Sequence, residues 1–150
     1  MSERTNDGAS VHVTTPESEV AQLADASRAH EPGELGALAC KLYDENPNLT
    51  EEEAYEAFIG WVESRGIELW PHQEEALMSI MVGDHVILGT PTGSGKSLVA
   101  LGMHFIAMCF GERSYYTAPI KALVSEKFFN LVDILGRENV GMITGDVHIN

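Results

Sequence analysis

Basic residues are scarce in this 150-residue chain: nine lysines and arginines stand against 23 aspartates and glutamates, a formal net charge of −14. A surface that holds nucleic acid by charge normally shows a basic footprint, and composition offers none. The deficit is uneven, however. Residues 1–70 carry 15 acidic and 4 basic side chains, net −11, whereas residues 71–150 carry 8 and 5, net −3. The acidity therefore belongs mainly to the first half, and composition neither supports nor excludes a nucleic-acid partner. Cysteine is almost absent. Cys40 and Cys109 lie far apart with no C-x-x-C, which signals neither a disulfide framework nor a cysteine zinc site and leaves both as expected small buried hydrophobes. The six histidines are scattered without ligand spacing and read as surface or packing residues. Long apolar runs are missing too: no stretch reaches about 18 apolar residues free of charge, and the N-terminus lacks a basic-then-apolar signal pattern. A soluble, cytoplasmic chain with no membrane partner is the expectation.

What is present concentrates in Gly89-Thr90-Pro91-Thr92-Gly93-Ser94-Gly95-Lys96-Ser97. The apolar run Val86–Leu88 before it suits a short strand, and the proline-free run Leu98–Met108 after it suits a buried helix. Strand, glycine-rich turn and helix is the setting in which a phosphate-loop match carries weight. Glycines at 93 and 95 let the backbone turn tightly and bring its N–H groups to phosphate oxygens. A helix starting near Gly95 directs its partial positive end at the same anion. Lys96 would sit against the β- and γ-phosphates, and the Ser97 hydroxyl would ligate Mg²⁺. The strict pattern places glycine at position 90, where this chain has threonine. The residues read as a site for a nucleotide and Mg²⁺.

The rest of the chain arranges itself around that loop. Residues 1–32 are polar and lack periodicity, so they are expected to form a disordered acidic arm, open to a protein partner. Glu34–Asp44 carries Leu35, Leu38, Ala39 and Leu42 at helical spacing and ends before Asn46-Pro47. Thr50 to Glu53 forms a capping box, opening a helix with Ala54, Ala57, Phe58, Trp61 and Val62 on one face and a stop at Arg65-Gly66. Together, residues 33–66 read as a short helical appendage, the Phe58/Trp61 face packing into a core. Pro71 suits the first turn of a helix through Met81 to Gly83. Ser114–Ala118 reads as a second strand, Leu123–Leu135 as a helix ending at Gly136, and Val140–Thr144 as a third strand. The β-α-β-α-β order predicts an α/β fold, a parallel sheet flanked by helices, with ligands at the carboxyl ends of its strands.

With the order established, a family resemblance becomes visible. Trp70-Pro71-His72-Gln73-Glu74-Glu75-Ala76, then Thr90–Ser97, then Thr117-Ala118-Pro119-Ile120-Lys121-Ala122-Leu123-Val124-Ser125-Glu126-Lys127-Phe128, then Thr144-Gly145-Asp146 together resemble superfamily 2 helicases. The similarity is greatest to DEAD/DEAH-box RNA helicases of the Ski-type branch, and it covers about residues 68–150. It implies a RecA-like lobe over residues 67–150, ATP and Mg²⁺ on Thr90, Pro91, Thr92, Gly93, Ser94, Gly95, Lys96 and Ser97, and Lys96 as the catalytic lysine. In that family a small residue commonly replaces the first loop glycine, which accommodates Thr90.

The resemblance also assigns Gln73, 23 residues before Lys96, to the family's adenine-reading glutamine; an amide donates and accepts at once and can match an adenine edge. It assigns Pro119, Lys121, Ala122 and Lys127 to contacts with the backbone of an RNA strand, where a helix N-terminus and a lysine suit phosphate. Asp146 precedes Val147 rather than a glutamate, so it belongs to the T-G-D motif, without a metal role. The sequence reaches Asn150 without a D-E-x-D/H box, an arginine-bearing motif or a second lobe. Phosphoryl transfer needs a positioned water and charge stabilisation beyond a phosphate cradle. The expectation is therefore the N-terminal piece of a longer helicase, binding nucleotide weakly and not hydrolysing it by itself. A DNA helicase or translocase, and a non-catalytic nucleotide-binding module, remain the alternatives.

Overall fold

The computed structural model describes residues 33–149 apart from Thr92 and Ser94. The acidic arm of residues 1–32, and the loop positions Thr92 and Ser94, lie outside the described residues. Among the described residues five α-helices follow in order: α1 Glu34–Glu45, α2 Glu51–Ser64, α3 Pro71–Met81, α4 Lys96–Cys109 and α5 Lys121–Leu135. A 3₁₀ turn Arg137–Asn139 and two short strands, β1 Met142–Ile143 and β2 His148–Ile149, complete them.

Local chemistry sets the helix ends. The N–H of Glu53 donates to Thr50 Oγ1 at 3.2 Å and the N–H of Thr50 donates to Glu53 Oε2 at 2.9 Å, so the capping box opens α2 as its residues dictate. Pro71 occupies the first turn of α3, where its missing N–H has no cost. Asn46 closes α1 by donating to the Leu42 carbonyl at 3.1 Å, and Pro47 follows. Gly136, at φ 90°, ends α5.

Helix α4 is the centre of the fold. Leu98, Val99, Leu101, Gly102, His104, Phe105, Ile106 and Cys109 are all buried on it, so apolar neighbours surround it rather than flank one stripe. Helices α1, α2 and α3 pack directly on it, and α1 also packs on α5. Leu35 and Ala39 of α1, Phe58 and Trp61 of α2, and Ala76 and Leu77 of α3 join α4 in one apolar cluster. The helices ahead of residue 67 thus share a core with the helix that follows the glycine-rich loop. Phe58 lies 5.7 Å from Phe105 and 6.3 Å from Trp61 between ring centroids, in the range where aromatic pairs add to their burial. Close approach depends on Gly102: a Cβ there would come within 2.4 Å of Leu77 Cδ2 and 2.9 Å of Phe58 Cε1.

Two expectations are corrected. The predicted parallel sheet is not assembled among the described residues: residues 86–88 and 114–118 join no ladder, and the sheet that forms is an antiparallel pair, Met142 opposite Ile149 and Ile143 opposite His148. Helices satisfy their backbone groups within themselves, whereas a parallel strand needs a partner brought from elsewhere. Ile87, 96% exposed, has no such cover. The second correction concerns Cys40, which is exposed while Cys109 is buried. Cys40 follows the buried Ala39 on α1 and is rotated from the core face by the helical turn. Among the described residues no helix is long and apolar enough to cross a membrane.

Candidate nucleotide site

The glycine-rich loop runs into the N-terminus of α4. Gly93 has φ 108° and Gly95 has φ 69°, values that side-chain-bearing residues rarely adopt, and Gly95 is the N-cap of α4 without a side-chain cap. The first-turn N–H groups of a 14-residue helix therefore start where the loop ends, with the dipole's positive end beside them. Lys96 and Ser97 occupy that first turn. The Lys96 ammonium donates to the Thr90 carbonyl and, at 2.9 Å, to the Pro91 carbonyl, so it lies over the loop backbone. Clustered N–H groups, an ammonium and a hydroxyl on one loop form a donor set that fits a polyphosphate with its cation.

Gln73 joins this site from α3. It is only 3% exposed. Its Oε1 accepts the Trp70 N–H at 2.8 Å and its Nε2 donates to the Gly95 carbonyl at 3.1 Å. The amide therefore bridges the start of α3 to the cap of α4, while one amide hydrogen and one lone pair remain beyond these two bonds. Sequence spacing brought Gln73 near the loop. It held no sign that the link would be to Gly95.

The segment expected to meet a strand divides in two. Pro119, Lys121 and Ala122 are exposed at the start of α5, which has no side-chain cap. Lys121 Nζ pairs with Asp146 Oδ2. The Asp146 carboxyl is held below the usual carboxylate range, first by Lys121 and then by the Thr144 hydroxyl. Lys127 turns away: its side chain is 17% exposed, 3.4 Å from Glu126. With Ser97, His104 and Asn130 it lines a cavity of about 20 Å³ between α4 and α5. The two lysines thus do not share a surface.

Sequence reasoning passed over His104, whose only signal was a lone histidine in an apolar helix. It is buried, its Nδ1 sits 2.7 Å from Ser114 Oγ, and its Nε2 has no partner. Burial lowers its pKa from 6.5. A wider cleft of about 750 Å³, lined by Tyr115, Thr117, Val124, Phe128 and Val140, lies alongside. Among the described residues no group of three or more His, Cys, Asp or Glu side chains could hold a metal ion.

Comparison with known proteins identifies a family. Residues 70–148 match the DEAD/DEAH box helicase family. Over 78 residues the chain is 38% identical to the DExH-box ATP-dependent RNA helicase DExH15, chloroplastic, of Arabidopsis thaliana, which covers 52% of this chain and 7% of that protein. Over 85 residues it is 40% identical to the antiviral helicase SKI2 of Saccharomyces cerevisiae, covering 55% of this chain and 6% of that one. The ATP-dependent DNA helicase Hel308 of Pyrococcus horikoshii is 41% identical over 90 residues, covering 57% and 12%. The chain thus spans between 6% and 12% of the length of these relatives. No solved structure matches it. The helicase domain implies a RecA-like fold, and the helix-rich arrangement with one hairpin is compatible with part of such a lobe. With the match running from Trp70 to His148, over more than half of its residues, the chain belongs to the DEAD/DEAH box helicase family.

Proposed function

We propose that this chain is the ATP-binding portion of an ATP-dependent RNA helicase. The observation that carries the reading is the phosphate loop capping α4, with Lys96 drawn over Thr90 and Pro91 and Gln73 bonded to Gly95 beside it. In this reading residues 90–97 hold the ATP phosphates, Ser97 ligates Mg²⁺, and Gln73 meets the adenine with its remaining amide valences. Bound ATP supplies the phosphoanhydride whose cleavage drives the cycle. Lys96 holds phosphate charge, and the α4 N–H groups orient it. Pro119, Lys121 and Ala122 lie along the backbone of the nucleic-acid strand, a contact that sets register without reading sequence; Lys127 supports that segment from inside. Residues 1–32 serve as a recruiting arm, residues 33–66 brace the ATP-binding part that follows, and the protein works in the cytoplasm. Hydrolysis draws on groups beyond residues 33–149.

The similarity to a DNA helicase favours a second reading, in which the strand is DNA. Steady-state ATPase of the full-length protein with no polymer, with single-stranded RNA and with single-stranded DNA separates the two. RNA-specific stimulation is expected, and DNA-specific stimulation transfers the assignment. Lys96→Ala should weaken a fluorescent ATP analogue at least about tenfold, the loss of a charge-assisted hydrogen bond. Unchanged affinity would overturn the site.

A further inference from the structure

The pairing of Lys121 with Asp146 carries a consequence for strand binding. Lys121 opens α5, and Asp146 sits 25 residues later in the turn between β1 and β2. That turn is built to hold the carboxylate. Thr144 N–H donates to the Val147 carbonyl at 2.8 Å. The Val147 N–H donates to Thr144 Oγ1 at 3.1 Å, and Thr144 Oγ1 donates to Asp146 Oδ1 at 3.0 Å. One carboxylate oxygen is thus fixed by the hairpin and the other faces the Lys121 ammonium. Both groups are exposed, their side chains 56% and 62% accessible, so an incoming anion can reach them.

A phosphate arriving at the start of α5 meets a lysine already neutralised. It can take the ammonium only by displacing the carboxylate, and the two anions would otherwise stand side by side at one cation. We propose that Asp146 is a built-in competitor for Lys121, a carboxylate that restrains the affinity of the α5 N-terminus for a strand phosphate and gives way when the strand binds. The proposal rests on the reading of Lys121 as a phosphate contact. It assigns the β1–β2 turn a regulatory role: whatever shifts Thr144–Val147 away from α5 raises strand affinity.

The experiment measures fluorescence anisotropy of a labelled oligouridine strand with the full-length protein, across a series of KCl concentrations. The proteins are wild type, Asp146→Asn, Lys121→Ala and the double variant. Asparagine retains an oxygen that can accept from Thr144, so the turn is kept while the charge is removed. Asp146→Asn should bind about two- to fivefold tighter at low salt, the range expected of one exposed ion pair. Its salt slope should steepen by about 0.7, one further phosphate contact on a single strand. Lys121→Ala should bind more weakly, and adding Asp146→Asn to it should bring no gain. If Lys121→Ala weakens binding while Asp146→Asn leaves it unchanged or weaker, Asp146 supports Lys121 and competition is refuted, though the strand contact stands. If Lys121→Ala has no effect in either background, the strand contact itself fails and takes the proposal with it.

Discussion

Gln73 Nε2 donates to the carbonyl of Gly95 at 3.1 Å, inside the fold and 22 residues along the chain. The bond ties the first turn of α3 to the residue that starts the phosphate-loop helix. It gives Gln73 a structural duty in addition to any contact with a base. Gln73→Leu removes the bond and leaves the buried Gly95 carbonyl with the Leu98 N–H, at 3.0 Å, as its remaining partner. The expected loss is about 0.5–1.5 kcal/mol of stability, the net worth of one hydrogen bond, seen as a lower urea midpoint. Gln73→Glu should lose a similar amount, because a carboxylate cannot donate to that carbonyl. A midpoint identical to wild type in both variants would mean that the bridge contributes nothing.

Gly102 sets the distance between α4 and its neighbours. Gly102→Ala places a methyl group 2.4 Å from Leu77 Cδ2 and 2.9 Å from Phe58 Cε1. Both side chains are fully buried, so the expected cost is about 1–3 kcal/mol. Gly60 is the control: it lies in α2, and a Cβ there meets nothing within 4 Å. Gly60→Ala should stabilise by about 0.4–1 kcal/mol by reducing the freedom of the unfolded chain. Opposite signs for two Gly→Ala changes, measured by thermal unfolding, are the outcome to look for.

His104 should make stability depend on pH. Burial holds its folded pKa below 6.5, so as pH falls the unfolded chain takes up the proton first. The stability associated with neutral His104 is complete above its unfolded value of about 6.5. It is lost as pH falls below that value and through the lower folded one. The difference in Tm between wild type and His104→Gln should therefore change sharply on acidification from about pH 7 to pH 5, with wild type losing more. A constant difference across that range would show that the histidine titrates alike in both states.

The two cysteines should react on different timescales. Cys40 is exposed and Cys109 is buried, and burial, with a smaller contribution from Cys40, pushes the Cys109 thiol up to about 12. The thiolate is the reactive form. One equivalent of a disulfide reagent should be consumed quickly by native protein at mildly alkaline pH, the second only after denaturant is added. Cys40→Ser should abolish the quick phase. Two equally quick thiols would contradict the burial of Cys109.

The helices were largely legible in the residues because their end signals are local. Thr50 and Glu53 sit within one turn of each other, Pro71 needs no partner, and Gly136 stops α5 by its own backbone. The glycine-rich turn into α4 was legible for the same reason, its glycines and Lys96 being neighbours in the chain. The parallel sheet was not, since strand periodicity states which face is apolar and leaves the partner unnamed. Residues 86–88 and 114–118 show the pattern without the pairing, and the hairpin that forms instead joins segments four residues apart.

Sequence by itself thus determined where helices begin and end, and which family the motifs in residues 70–148 belong to. Tertiary structure decided that Gln73 would hold Gly95, that Gly102 would admit Leu77 and Phe58, that Lys121 would face Asp146 while Lys127 turned inward, and that one cysteine would be buried and the other exposed. Each of these joins residues distant in the chain or depends on which side of a helix meets another. Periodicity marks that side only approximately, and the packing of α1, α2 and α3 around α4 fixes it.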